Sequence, residues 1–440
     1  MASVSNHIQW LEEQLKRWVN SGIIQDNHAQ SIRSLYPASQ TTRPWALIVF
    51  SGIGAVIIGL GVILLFAYNW ADMSKVSKLS TVFLSLIISH IIGISLFLKS
   101  ERFEKMGEAL TILGTMLFGA GIWLIAQIYH IEEHFPTAFF IWGLGALALA
   151  WTMPSIAQAI CAAILFTIWV MTEAINFDNS IPYAFIFILL LFPLAYKHRS
   201  SLLLGVLLFA FGISTIFIAV PTAESATFHS ILGLLILYLS IGLIHQKSKK
   251  FENFAPVYFY IGLAGYLLVL YLLSFPELNK EVLRDIKDNK MISDVSVMLY
   301  WTVPLVLAIG GWITVGRDLI KKTIFKYYSH DLLLLPLVLI FFCCYSLSST
   351  RVFHWPVTAI FNLVLLAHIV MLMAKGCKEV KPAMALAGAL LLAALTFARF
   401  TDLFESMATR GMVFIAVGII LFGQGFFYVR TKKRIKEQAL

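Results

Sequence analysis

Apolar runs of membrane length alternate with short polar gaps from Ala46 to Val429. Fourteen such runs read as spans: 46–69, 79–98, 108–129, 136–152, 155–175, 180–196, 201–220, 226–245, 254–275, 293–314, 331–348, 354–374, 380–398 and 409–429. Each approaches the ~20 residues that cross a hydrocarbon core of ~30 Å, some at the short end of that range. The stretch around Trp151-Thr152-Met153-Pro154 joins two runs too long together for one span, and Pro154 supplies the turn. In lipid each backbone N–H and C=O must be paired within the protein, so runs of this length predict helices. The expectation is an all-α, polytopic integral membrane protein with about 14 transmembrane helices. Trp45 opens the first span and Tyr68 with Trp70 closes it, as interfacial anchors do.

A different periodicity precedes the first span. Ile8, Leu11, Leu15, Trp18 and Val19 follow the spacing of one helix face. Asn20-Ser21-Gly22 breaks that helix, because glycine accepts the left-handed cap conformation. A second short helix is expected from about Asp26 to Tyr36, with Ala29, Ile32 and Tyr36 inward and Pro37 stopping it. Residues 1–40 thus form a cytoplasmic amphipathic two-helix module, too small to be stable alone. It offers residues 1–36 as a contact for a protein partner. The multi-span domain covers 46–429, and 430–440 is a basic tail. Two gaps carry the pattern of surface helices. Segment 277–290 places Leu278, Val282 and Ile286 on one side, and 316–328 combines Leu319, Ile320 and Ile324 with Arg317, Lys321, Lys322 and Lys326.

Composition agrees with the pattern. Hydrophobic residues are 59% of the chain and charged residues 13%, too few charges for a soluble surface of this size. The net charge is +9, and its placement sets an orientation. With the N-terminus inside, the inner gaps and both tails hold 24 of the 33 Lys and Arg, and the outer gaps hold 9. A thirteen-span chain would put Arg430, Lys432, Lys433, Arg434 and Lys436 outside, against that bias. Fourteen spans in the inner (plasma) membrane, with both termini cytoplasmic, is the consistent reading. The basic runs are cytoplasmic flanks, so no nucleic acid partner is expected; the bilayer is the main one. Cys161, Cys343, Cys344 and Cys377 form no spaced disulfide framework. The start of the chain is charged and amphipathic, unlike a cleaved signal peptide.

Small residues recur every fourth position in several spans: Ser51, Ala55 and Gly59; Thr111, Thr115 and Gly119; Ala385, Ala389 and Ala393. Such stripes let helix backbones approach closely in lipid. Ionisable residues inside a membrane are costly and usually functional. His90 and His368 fall within spans, where the plainer expectation is a neutral histidine bonded between helices. Glu108, Glu173 and Arg399 fall at span ends, within reach of interfacial water. No Asp or Glu falls mid-span, which disfavours a coupled transporter built on a buried carboxylate. The outer end of the third span reads Gln127-Ile128-Tyr129-His130-Ile131-Glu132-Glu133-His134. His130 and His134 would share a face if the helix continued, a spacing that could hold zinc. The zincin order is missing and no third ligand is specified, so neither metal nor cofactor is expected. Phosphate-binding loops, dinucleotide fingerprints and nucleophile elbows are also missing, which argues against an enzyme.

Trp18-Val19-Asn20-Ser21-Gly22-Ile23-Ile24, with Ala29 and Ile32, resembles the start of a bacterial membrane family, domain of unknown function 2157. The likeness continues through Phe118-Gly119-Ala120-Gly121, Ala126-Gln127-Ile128-Tyr129-His130, Phe135-Pro136 and Trp142, and again at Arg410-Gly411 and Gly418. It is good over about 1–170 and weak through the middle. Gln25 departs from it, where Ser or Thr would cap the second helix better. The resemblance marks Gln127, Tyr129 and His130 as motif positions and implies no activity. Three functions stay open. One is a transporter-like or sensor-like protein handling a small solute or lipid. Another is a membrane-embedded transferase or ligase using His130, Glu133, Glu173 or Arg399 at the outer face. The last is an assembly subunit acting through residues 1–36.

Overall fold

The computed structural model describes residues 11, 14–15, 17–35, 73–99, 101–131, 134–153, 155–219, 221, 224–288, 295–321, 330–346, 354–402 and 407–438. Among the described residues there is helix and no strand. The expected first span 46–69, with Ser51, Ala55 and Gly59, lies outside them, as do Glu132, Glu133 and residues 322–329. Two compact units are present, Met1–Lys78 and Leu79–Leu440.

In the first unit a helix through residues 17–20 ends as its sequence requires. Gly22 adopts φ 70°, and the Ile23 N–H reaches back to Trp18 O at 2.9 Å. Helix α1 (Asp26–Leu35) follows. Gln25 brings no side-chain oxygen suited to capping, yet its carbonyl accepts from the Ala29 N–H at 3.1 Å and starts the helix. Leu15 and Ala29 are buried.

The second unit is a bundle. It takes in Leu79–Lys99 of α2 (Lys75–Lys99), then α3 (Glu101–Tyr129), α4 (Pro136–Thr152) and α5 (Ile156–Phe177). Two short helices follow, α6 (Ala184–Leu189) and α7 (Phe192–Lys197), then α8 (Ser201–Ala219), α9 (Glu224–His245) and α10 (Ala255–Leu273). A surface helix α11 (Pro276–Asp288) precedes α12 (Val295–Ile320), α13 (Leu334–Ser346), α14 (His354–Lys378), α15 (Pro382–Asp402) and α16 (Met407–Gln438). Ten helices among the described residues are long and apolar enough to cross a membrane, and Pro136–Thr152, Ala184–Lys197 and Leu334–Tyr345 are shorter apolar helices.

Three departures have physical causes. The run 180–196 is broken at Leu190 and Leu191, because Pro193 has no N–H to continue the ladder. The polar gap 99–107 is almost wholly helical: α2 ends at Lys99 and α3 starts at Glu101. In α15 the buried stripe runs through Ala385, Gly388 and Leu392, while Ala393 is exposed. Gly388 lies against Met373 and Ile369 O of α14, which draws the contact face one position away from the four-residue repeat.

Close approaches hold the helices together. A Cβ on Gly107 would lie 2.5 Å from Phe97 N and 2.6 Å from Gly93 O, so α2 and α3 nearly touch backbone to backbone. Gly119 leaves room for the Trp142 indole of α4, and Gly376 receives the backbone of Ala385. Thr111 and Thr115 are buried beside these contacts.

Polar contacts sort the helix ends into two faces. On one, Glu108 near the start of α3 meets Ser155 before α5, Tyr196 in α7 meets His245 and Tyr258, and Lys247 pairs with Asp318. On the other, His134 after α3 meets Glu173 near the end of α5, Ser180 meets Ile218, and Ser274 meets Arg399. Successive helices alternate between the two faces.

Candidate functional site

The end of α5 builds the most tightly organised polar group on the second face. Trp169 and Glu173 are four residues apart, so they share a side of the helix. Asp178 adopts φ 49° and its N–H returns to Glu173 O, closing the helix and turning Asn179 back toward its last turn. The Trp169 Nε1–H donates to Glu173 Oε1 at 3.1 Å, and Asn179 Nδ2 donates to Oε2 at 2.9 Å. His134 Nε2 reaches the same Oε2 at 3.1 Å. Glu173 is only 3% exposed. A carboxylate at that depth needs its oxygens saturated, and these donors saturate them.

His134 connects this group to the surface. Its Nδ1 lies 3.2 Å from Thr137 Oγ1, and its ring rests 4.3 Å from the Phe177 ring. With Nε2 facing a carboxylate, the neutral ring carries its proton there and Nδ1 accepts from the threonine hydroxyl. His134 and Thr137 also line a cleft of about 370 Å³ between α3 and α4. Its other walls include Ile122, Trp123, Phe135 and Ile141, so it is an apolar cleft with a polar corner.

Arg399 belongs to a separate group. Its Nη2 donates to Ser274 Oγ at 3.0 Å, and its guanidinium lies 4.7 Å from the centroid of Phe275. Asn362 Nδ2 donates to Ser274 O at 2.9 Å, and Asn279 Nδ2 donates to Thr358 Oγ1 at 3.0 Å. These contacts tie α10, α11, α14 and α15 together. Glu173 and Arg399 therefore share a face without sharing a site. Both were expected to reach interfacial water, and both are buried; for Arg399 the Phe275 ring and Ser274 replace that water.

Gln127, Tyr129 and His130 are exposed at the end of α3. His130 adopts φ 51° and the Ile131 N–H bonds Ala126 O at 2.9 Å, the left-handed closure that usually takes glycine. The helix stops there, so His130 and His134 do not continue on one helical face. Among the described residues no group of three His, Cys, Asp or Glu could hold a metal ion.

His90 and His368 each find a partner beside or across the helix that carries them. His90 Nδ1 donates to Leu86 O of its own helix at 3.0 Å, and its ring fills the space that Gly114 leaves on α3. His368 is 1% exposed and its Nε2 lies 3.2 Å from Tyr266 OH on α10. Near the first face, Ser155 Oγ donates to Glu108 Oε1 at 2.8 Å and receives the Gln158 N–H at 3.2 Å. Gln158 Nε2 donates to Thr115 Oγ1 at 2.9 Å, and Trp142 Nε1 donates to Thr115 O at 2.7 Å. This chain of bonds links α3, α4 and α5 across their packed interface.

Helical spacing alone connects Trp169 with Glu173. Nothing in the sequence connects them with His134, because that contact depends on the loop after α3 meeting the end of α5. Ser274, Asn279 and Asn362 were equally hidden: each matters through a partner more than seventy residues away.

The α3–α5 network and the exposed turn after α3 lie within one recognisable segment. Residues 16–159 match the family of predicted membrane proteins named domain of unknown function 2157. The match takes in Glu108, Thr115, Gln127, His130, His134 and Gln158, and it ends before Glu173. No curated protein and no solved structure matches the chain.

Proposed function

We propose that the chain is a fourteen-span protein of the inner membrane, with both termini cytoplasmic, that binds a small solute or lipid at its outer face. It works as a transporter or sensor and not as an enzyme. The single observation that carries the reading is the His134–Glu173 pair at the polar corner of the α3–α4 cleft. An apolar cleft with one oriented imidazole suits a ligand having an apolar body and one polar end. The alternation of helix ends supports the orientation, because the face bearing Lys197, Lys247, Lys250 and Lys375 is then cytoplasmic. The transferase reading is the weaker one, since Glu173 and Arg399 stand in different clusters.

The test is ligand-induced thermal stabilisation of the purified chain, with flux measured in liposomes, across a broad solute and lipid panel. At least one amphipathic compound should stabilise the chain, and His134→Ala should reduce that stabilisation. The absence of both flux and stabilisation across the whole panel would refute the reading.

A further inference from the structure

The turn between α7 and α8 and the loop between α9 and α10 meet at one end of the bundle. Ser201 Oγ donates to Asn253 O at 3.4 Å. The Tyr196 ring meets Phe251 and Phe254 edge-on, with centroids 5.3 and 4.9 Å away. Its hydroxyl bonds both His245 Nε2 and Tyr258 OH, which anchors the junction from beneath. Arg199 takes φ 48° and the Ser200 N–H bonds Ala195 O at 3.0 Å, so the turn has a fixed shape.

This junction presents four exposed cations, Lys197 and Arg199 from the turn and Lys249 and Lys250 from the loop, against one exposed carboxylate, Glu252. Among the described residues none of the four forms an ion pair, whereas Lys105, Lys247 and Lys381 on the same face meet Glu108, Asp318 and Glu379. Lys250 lies 5.3 Å from the Phe251 centroid, a contact that leaves its charge in place. Ser200 Oγ accepts the Leu203 N–H at 3.1 Å, and the start of α8 adds its own partial positive charge. Apolar surface begins directly beside these charges. Leu202 and Phe209 are 68% and 61% exposed and, seven residues apart, share one side of α8. Their line covers ~10 Å of the helix from its first turn.

We infer that this junction binds the headgroup of an anionic glycerophospholipid, its phosphate among Lys197, Arg199, Lys249 and Lys250 and an acyl chain along Leu202 and Phe209. An acidic protein segment would match the charges and leave the apolar line unused. A zwitterionic lipid would leave the charges unmatched. The site is separate from the His134 cleft; only the naming of its leaflet as cytoplasmic rests on the orientation proposed above.

Native mass spectrometry of the purified full-length chain tests it, using phosphatidylglycerol and phosphatidylcholine with identical acyl chains. The wild-type chain should retain phosphatidylglycerol in preference, a comparison that needs no variant. Lys197→Gln with Arg199→Gln, and separately Lys249→Gln with Lys250→Gln, should each weaken that retention roughly tenfold or more. Lys105→Gln with Lys381→Gln removes the same charge from paired positions on the same face and should leave it unchanged. Equal retention of the two lipids by the wild-type chain would overturn the site. So would an equal loss from the Lys105/Lys381 pair, or full displacement of phosphatidylglycerol by millimolar inorganic phosphate or by a short polyglutamate peptide. Failure of the ligand screen at the His134 cleft would leave these results untouched.

Discussion

Glu173 shows what a buried charge needs. Trp169, Asn179 and His134 all aim donors at its two oxygens, and removing the charge leaves those donors facing a poorer acceptor. Glu173→Gln keeps the shape but puts an amide NH2 against at least one N–H donor. The expected cost is ~1–3 kcal/mol, read as a lowered unfolding midpoint in detergent. An unchanged midpoint would mean that the cluster contributes no stability. The sequence revealed that Glu173 lies at a span end and that Trp169 sits one turn before it. It concealed the burial, because His134 reaches Glu173 from the loop after α3, which sequence spacing does not connect with the end of α5. Arg399 follows the same rule: its position was legible, and the Phe275 ring over its guanidinium was not.

At the scale of elements, glycines divide into those that set helix spacing and those that do not. Gly107 faces the α2 backbone at Phe97 and Gly93, where nothing flexible can yield. Gly107→Ala should part the two helices and destabilise the chain by ~1–3 kcal/mol. Gly418 in α16 has nothing within 4 Å, so Gly418→Ala should leave stability unchanged or raise it by up to ~1 kcal/mol. Thermal unfolding of both variants in the same detergent checks the pair, and equal effects would contradict the packing account. Helix existence was legible from apolar runs, since lipid permits little else; α4 spans 136–152 as its run does. The break in 180–196 was missed because its apolar composition continues unbroken while Pro193 interrupts only the hydrogen bonds. The contact face of α15 was missed by one position, because Met373 and Ile369 of a neighbouring helix decide which small residue is covered.

For the whole molecule, alternating helix ends and uneven charge belong to one picture. Contacts such as Glu108 with Ser155 and His134 with Glu173 join ends that the chain visits on alternate passes. Among the described residues, Lys197, Lys247, Lys249 and Lys250 fall on the face with Tyr196 and His245, and the Glu173 cluster lies at the other helix ends. Sequence could supply this balance because lysine and arginine counts need no knowledge of packing. Which spans are neighbours depends on side chains far apart in sequence, and so required the structure. The central claim is that the His134 face lies outside and the basic face lies in the cytoplasm. Single-cysteine labelling in intact cells tests it most directly, with Cys161, Cys343, Cys344 and Cys377 first replaced by Ala. His130→Cys should react with a membrane-impermeant maleimide in intact cells, and Lys249→Cys only after permeabilisation. Labelling of both from the same side, or the reverse pattern, would contradict the account.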